Sequence, residues 1–413
     1  MIKDKIFYNS FTEYQFNVSK AKGDYIWDDK GNKLIDFTCA WNVTNLGHNH
    51  PEINEAMVKQ IKKGTYVAGW TADEIQVRYA EYFTKQLPKQ FNVCVKATGG
   101  TEANEEAIKI ARAFSGRKKI IGFKNTYHGH SYATISLGKL PESANGKAIG
   151  PLLDKFTLID FPVVKTSELS KENEILTNFS KKLELILKNK DVAAIVCEAG
   201  IITGWGSTLM APKGFVKKVR ELTKKYGTLL ILDEVGTGFS RCGKLFGMEI
   251  EKVVPDIITF AKGISNGAAA IGTAVTTKEI AEPTCGNSNI YSTFGWNSVA
   301  CEASLKTLEI HLRDKVWKKA EKDGKYIRSI LKSELKKNSK VEYINGLGME
   351  IGVHMNKDDK NFNMMKIVDR AKLKGLNICY ADDFNFQLMP ALTIEKKTLD
   401  QGLEIFVNLV NKY

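Results

Sequence analysis

Four consecutive apolar residues, Leu229, Leu230, Ile231 and Leu232, run directly into Asp233 and Glu234 and then into the turn Val235-Gly236-Thr237-Gly238. A run without polar alternation belongs to a strand buried on both faces, so the sheet that holds it must carry helices on each side. Its carboxyl end delivers an acid. A second run, Ile257, Ile258, Thr259, Phe260 and Ala261, ends in Lys262, with Gly263 and Gly267 close behind. Ligands of open α/β sheets sit beyond the carboxyl ends of the strands. The two runs therefore aim a carboxylate and an amine at a site of that kind.

Further strand-like runs at Ile120–Phe123, Val192–Cys197 and Gly272–Val275 alternate with amphipathic helical stretches. This alternation predicts an α/β fold with a mainly parallel central sheet covered on both faces. At 413 residues the chain exceeds one small core. The expected division is an N-terminal arm over 1–63, a large cofactor-binding domain over 64–297 and a C-terminal small domain over 298–413. Within the arm, Gly23–Asn32 reads as a hairpin and Pro51–Lys62 as a helix. Leu305, Leu308, Leu312, Val316 and Ala320 predict one long helix, and Val341–Ile344 and Met349–His354 read as strands.

The net charge of +13 raises the question of nucleic acid. The lysines are spread among glutamates on helix-like stretches, however, and no zinc-finger, helix-turn-helix or aromatic-basic signature accompanies them, so a solvated surface is the reading. The seven cysteines are scattered and never spaced C-x-x-C, which argues for a reducing compartment and against a structural metal. His48 and His50 lack a third ligand and read as part of a turn. No apolar run is long enough to span a bilayer, and the N-terminus lacks an apolar signal core. The expectation is a cytoplasmic protein that binds neither membrane nor nucleic acid.

An acid and an amine at two strand ends suggest pyridoxal phosphate, with Lys262 forming the Schiff base and Asp233 keeping the pyridine nitrogen protonated. Thr98-Gly99-Gly100-Thr101-Glu102-Ala103-Asn104-Glu105 opens a helix whose first amides and positive dipole end suit a phosphate. Taken alone it is an ordinary helix start, and it lacks the Gly-Lys-Ser/Thr ending of a nucleotide loop. Tyr127-His128-Gly129-His130 follows the strand Ile120–Phe123.

These motifs, with Gly47-His48-Asn49-His50-Pro51 and Tyr291-Ser292-Thr293-Phe294-Gly295-Trp296-Asn297-Ser298, occur in an order that resembles the class III (subgroup II) aminotransferases of fold type I. The resemblance runs from about Gly23 to the C-terminus. It implies a pyridoxal 5'-phosphate-dependent aminotransferase in which Lys262, Asp233 and Tyr127 are catalytic. Gly100, Thr101, His128 and Val235 would join them in binding the cofactor. Tyr127 would stack on the ring opposite Val235, and Thr293 would reach the cofactor phosphate of a two-fold partner, making the unit a homodimer. Lys262 lies 29 residues after Asp233, in agreement with the family's spacing.

Departures from the family pattern bear on substrate. Glu198-Ala199 stands for Glu-Pro, and the loop from Gly200 to Pro212 is longer by about two residues. Gly236 replaces a glutamine that contacts the ring oxygen. Gln387 replaces an arginine that clamps a substrate α-carboxylate, a charge glutamine cannot supply. Trp296 replaces a glycine and could narrow the substrate entrance; Trp41, Trp70 and Trp296 are candidates for an aromatic pocket, although taken singly each reads as a plain packing residue. The tentative substrate set is Trp41, Glu198, Trp296 and Gln387. The expected reaction moves an amino group from an amine, ω-amino acid or amino sugar to an oxo acceptor by a ping-pong route. The alternatives are an aminomutase or racemase using the same constellation, and a basic nucleic-acid-binding protein without catalysis.

Overall fold

The computed structural model describes residues 17–138, 151–204, 208–358, 362–382 and 384–413, so residues 1–16 of the N-terminal arm and 205–207 of the loop after Glu198 lie outside the described residues. The central sheet has seven strands: β1 (Val93–Ala97), β2 (Lys119–Phe123), β3 (Phe156–Ile159), β4 (Val192–Glu198), β5 (Leu229–Asp233), β6 (Ile257–Phe260) and β7 (Gly272–Thr276). Their order across the sheet is β1-β7-β6-β5-β4-β2-β3. Only β7 runs against its neighbours, β6 and β1; the other pairings are parallel. The carboxyl ends of the other six strands therefore meet at one edge.

Strand parity decides which way each residue of β5 faces. Leu230 and Leu232 enter a core shared with Phe215, Val219 and Leu222 of α3 (Phe215–Tyr226). Leu229 and Ile231 enter the opposite layer with Ala107, Ile108 and Ala111 of α2 (Gly100–Ser115). Every residue of β5 is buried, and each leucine contributes roughly 1.5–3 kcal/mol on leaving water. Asp233 continues the face that looks at α2, and Glu234 continues the other. The register of the strand thus fixes where the acid points before any contact of the acid itself is considered.

A second core joins the ends of the chain. Ile35, Phe37, Cys39 and Leu46 pack with Ile53 of α1 (Pro51–Lys63) and with residues between Val316 and Val410. Two small four-stranded sheets flank it, one of them completed by Leu376–Asn377 beside Lys33–Asp36. The predicted smaller α+β unit, built from the N-terminal arm and the C-terminal part, is thus present. The single long helix expected after Ser298 is instead two, α4 (Ser298–Arg313) and α5 (Val316–Glu334). Lys315 between them has φ +49, a left-handed conformation that stops an α-helix. α4 serves both cores, with Cys301 and Leu308 in the first and Ala303 and Ile310 in the second.

Candidate active site

At the end of β5, Asp233 is held on three sides. Its Oδ2 accepts a hydrogen bond from Asn104 Nδ2 at 2.8 Å and lies 2.7 Å from His128 Nδ1, and its Oδ1 accepts the Val235 amide at 2.9 Å. Asn104 sits one turn into α2, donates also to the His128 carbonyl at 2.8 Å, and accepts the Thr259 hydroxyl at 2.7 Å. Carboxylate, histidine, amide and hydroxyl are all buried. Such a network keeps the aspartate in one orientation. Its neighbour Glu234 points away, as parity requires, and accepts the Gly247 and Met248 amides, each at 2.6 Å.

Lys262 begins the turn after β6 with φ +49, an unusual backbone for a residue with a side chain. It makes no hydrogen bond or ion pair among the described residues. Burial pushes its amine below the ordinary lysine range, while Glu198, Asp233 and Glu350 push in the opposite direction. Lys262 and Asp233 both line a cavity of about 450 Å³, together with Gly100, Thr101, Tyr127, His128, Val235 and Glu198. Every cofactor-binding residue named from the sequence except Thr293 is therefore brought to one place.

The residues fit pyridoxal phosphate. α2 opens at this cavity with Gly99 as its N-cap, and no side chain caps its first amides, which leaves them for an anion. A Cβ on Gly100 would stand 3.0 Å from Val235 Cγ1, and one on Gly129 would stand 2.8 Å from Thr101 Oγ1, so the cup needs both glycines. Tyr127 and Val235 each face the cavity, with an acid braced to meet a ring nitrogen and an unpaired amine in the same space.

The wall around Glu198 gathers the departures from the family motifs at Glu198-Ala199, Gly236 and Gln387. Glu198 Oε2 accepts the Thr203 amide at 2.8 Å and the Thr203 hydroxyl as well. Burial first, and then the charge of Asp233, pushes its carboxyl up to about 7. A Cβ on Gly236 would lie 1.8 Å from Thr203 Oγ1, so the hydroxyl fills the space that a side chain at 236 would need. Gln387 is fully buried behind this wall, where Nε2 donates to the Thr203 carbonyl at 3.0 Å and to Glu350 Oε1. It does not line the cavity.

The tryptophans depart from expectation. Trp296 does not narrow an entrance: it is 2% exposed, its ring lies 4.9 Å from that of Tyr79, and its Nε1 donates to the Gly272 carbonyl at 2.9 Å. A large ring beside the aromatic residues of α4's core gains more from burial than from solvent. Trp70 is 85% exposed, and Trp41 lies in a left-handed turn, Cys39–Asn42, outside the cavity lining. Thr293 is exposed and lines a separate cleft with Tyr66 and Tyr291. Asn104, Thr203 and Glu350 were not anticipated. Asn104 alone carried a signal, since it falls four residues after Gly100 and so on the same helix face.

Among the described residues, no three His, Cys, Asp or Glu side chains are placed to hold a metal, all seven cysteines are free, and no helix is long and apolar enough to cross a membrane.

An α/β sheet that brings a braced aspartate, an unpaired lysine and an uncapped helix start to one cavity defines a fold-type I pyridoxal-phosphate enzyme. The comparisons narrow this. The family model described as aminotransferase class-III matches residues 7–410, and the chain belongs to that family. It is 31% identical to the acetylornithine aminotransferase of Caldanaerobacter subterraneus subsp. tengcongensis over 99% of this chain and 98% of that one. It is 32% identical to the acetylornithine/succinyldiaminopimelate aminotransferase of Buchnera aphidicola subsp. Acyrthosiphon pisum, covering 99% and 96%. Among solved structures, an (S)-enantioselective omega-transaminase from Thermomicrobium roseum aligns with TM-score 0.89 at 26% identity, covering 99% and 96%. A taurine:2-oxoglutarate aminotransferase from Bifidobacterium kashiwanohense aligns with TM-score 0.92 at 24% identity over 100% and 96%, a likeness of fold. The chain is an aminotransferase that uses pyridoxal 5'-phosphate to pass an amino group to an oxo acceptor.

Proposed function

We propose that Lys262 is the residue that bonds the cofactor and that Asp233 meets its ring nitrogen. The observation that carries this assignment is the opposition, in one cavity, of an amine with no partner among the described residues and a carboxylate held by three hydrogen-bonding groups. When bound, pyridoxal phosphate withdraws electrons from the substrate carbon that bears the nitrogen. Asp233 keeps a proton on the ring nitrogen, and His128 and Asn104 hold Asp233 in register. The first amides of α2, with Thr101, hold the phosphate. Tyr127 and Val235, which both line the cavity, would cover the ring and keep water from it. Lys262 Nζ would carry the proton removed from the substrate carbon. Its lowered pKa suits a group that must take a proton as well as give one.

The donor is an amine, ω-amino acid or amino sugar, and the two half-reactions follow a ping-pong order. Gln387, turned into the protein and bonded to Glu350, supports the absence of an α-carboxylate clamp at that position. A homodimer is supported by exposed aromatic residues near Thr293: Phe294 is 66% exposed, Tyr291 59%, and Phe294 lies 5.8 Å from Tyr66 between ring centroids. A division into a large domain over 64–297 and a small unit from 1–63 and 298–413 agrees with the two cores. The cytoplasm is the proposed compartment.

The test adds pyridoxal phosphate to the purified chain, reduces it with borohydride, and maps the modified peptide. The expected result is visible absorbance lost on reduction and a mass increment on Lys262; an increment elsewhere, or none, refutes the assignment. Omitting the oxo acceptor separates a transaminase, which stops after one turnover, from an aminomutase or racemase, which continues. Sedimentation measures the dimer.

A further inference from the structure

Behind the cavity wall a strip of hydrogen bonds runs from Glu198 to Asn42. Glu198, which lines the cavity, is bonded to Thr203; the Thr203 carbonyl accepts Gln387 Nε2; the same nitrogen donates to Glu350 Oε1. Glu350 also accepts Asn42 Nδ2 at 2.7 Å and the Thr208 hydroxyl at 3.2 Å. Val43, next to Asn42, returns the strip to the cavity lining. All of these polar side chains belong to residues at most 3% exposed.

The amide orientations are forced. Gln387 Nε2 faces a carbonyl and a carboxylate, and Asn42 Nδ2 faces a carboxylate, so in each case nitrogen must sit there and oxygen must sit opposite. What remains is a set of buried acceptors with no donor among the described residues: Gln387 Oε1, Asn42 Oδ1 and Glu198 Oε1. Buried acceptors left without donors are costly and rare. No arginine is among the described lining residues. Arg241, the buried guanidinium nearest in sequence to β5, is committed to Asn45 at 2.7 Å and to the Met349 and Pro390 carbonyls at 3.1 and 2.9 Å. Among the described residues, this side of the site offers unpartnered acceptors and no guanidinium.

We infer that the amino donor carries a second ammonium group at its far end, a diamine, which the unpartnered Glu198 Oε1 in the cavity lining receives. The inference deepens the transaminase reading above and rests on it. One nitrogen reacts at Lys262, and the other donates to Glu198 Oε1. A donor ending in a carboxylate would instead add a second acceptor beside Glu198 and Asp233, whose charge already helps push the Glu198 carboxyl up, which disfavours it.

The test uses the loaded enzyme with one oxo acceptor and three donors of equal chain length: putrescine, n-butylamine and γ-aminobutyrate. The expected kcat/KM for putrescine exceeds that for γ-aminobutyrate by at least about tenfold and exceeds that for n-butylamine as well. Glu198→Gln keeps an acceptor for Thr203 and turns the free oxygen into a donor; the putrescine to n-butylamine ratio should then fall by about tenfold, chiefly through KM. A binding measurement needs no turnover and no variant: the melting temperature of the borohydride-reduced enzyme should rise with putrescine and not with γ-aminobutyrate. If the enzyme shows its visible absorbance but uses γ-aminobutyrate or n-butylamine as well as putrescine, the diamine inference is overturned and the transaminase reading stands. If no visible absorbance and no trapped Lys262 appear, both fall.

Discussion

Asn104 offers the sharpest test of how the site is held. Replacing it by alanine removes a donor to the Asp233 carboxylate, a donor to the His128 carbonyl and the acceptor of the Thr259 hydroxyl. The bond to a charged group is worth about 1.5–3 kcal/mol, and each neutral group left unsatisfied costs about 1–3 kcal/mol. Asn104→Ala should therefore lose roughly 3.5–9 kcal/mol if the three effects add, a large fraction of the 5–15 kcal/mol typical of a folded domain. Asn104→Asp is almost the same shape but sets a second carboxyl against Asp233 Oδ2. One of the pair must keep a proton, so its folded pKa rises above the unfolded value. The sign follows: stability is retained below the unfolded carboxyl pKa and lost as pH climbs through the raised folded one. Urea denaturation of both variants across acid and neutral pH checks this. The Asp variant should weaken with rising pH relative to the Ala variant. If the two variants show parallel pH profiles, Asn104 does not face the Asp233 carboxyl, and the account of the brace is wrong.

Other outcomes follow from single contacts. Gly236→Ala should lower the melting temperature by several degrees, a cost of about 1–3 kcal/mol for overpacking, because the new Cβ would stand 1.8 Å from Thr203 Oγ1; adding Thr203→Gly should recover part of the loss. Gln387→Arg alone should gain no α-amino acid turnover in initial-rate assays, because Glu350 Oε1, the present partner of the glutamine, would take the guanidinium. The rate at which visible absorbance develops on adding cofactor to the stripped enzyme should rise with pH to a midpoint below the ordinary lysine value, since burial disfavours the ammonium of Lys262. In Glu198→Gln that midpoint should fall further, because a carboxylate that supports the ammonium is gone.

Much of this architecture could be read from the chain because local and global preferences agree. Unbroken apolar runs marked β4, β5 and β6, and parity within β5 set Asp233 and Glu234 on opposite faces. β1 and β3 were not read. Val93-Cys94-Val95-Lys96-Ala97 carries a lysine in mid-strand, tolerable because Lys96 Nζ donates to Gln76 Oε1 at 2.9 Å, a partner that no local pattern reveals. Phe156–Ile159 is an edge strand, half-covered throughout, and so shows weak patterning. The break at Lys315 was hidden because a left-handed residue need not be glycine. Trp296 was misplaced because a motif gives a position along the chain and leaves burial undecided. Contacts such as Asn104 with Asp233 join residues 129 apart and are fixed by packing alone.

The departures from the family motifs look unrelated along the sequence, yet in space they touch. A side chain at 236 would collide with Thr203, so the glycine admits the hydroxyl; the hydroxyl and amide of Thr203 fix Glu198; the Thr203 carbonyl turns Gln387 toward Glu350. Restoring any one of the family residues would leave its neighbour unsatisfied: glutamine at 236 would displace the Thr203 hydroxyl from Glu198, and arginine at 387 would be captured by Glu350. A wall built in this way changes specificity only as a unit. Pairwise coupling between positions 236 and 203, and between 387 and 350, should therefore exceed the sum of single effects by about 0.5–3 kcal/mol in double-mutant cycles, whereas 236 and 350, which share no contact, should couple more weakly. Equal coupling for both kinds of pair would mean that the substitutions act through general loosening of the site and not through this chain of contacts.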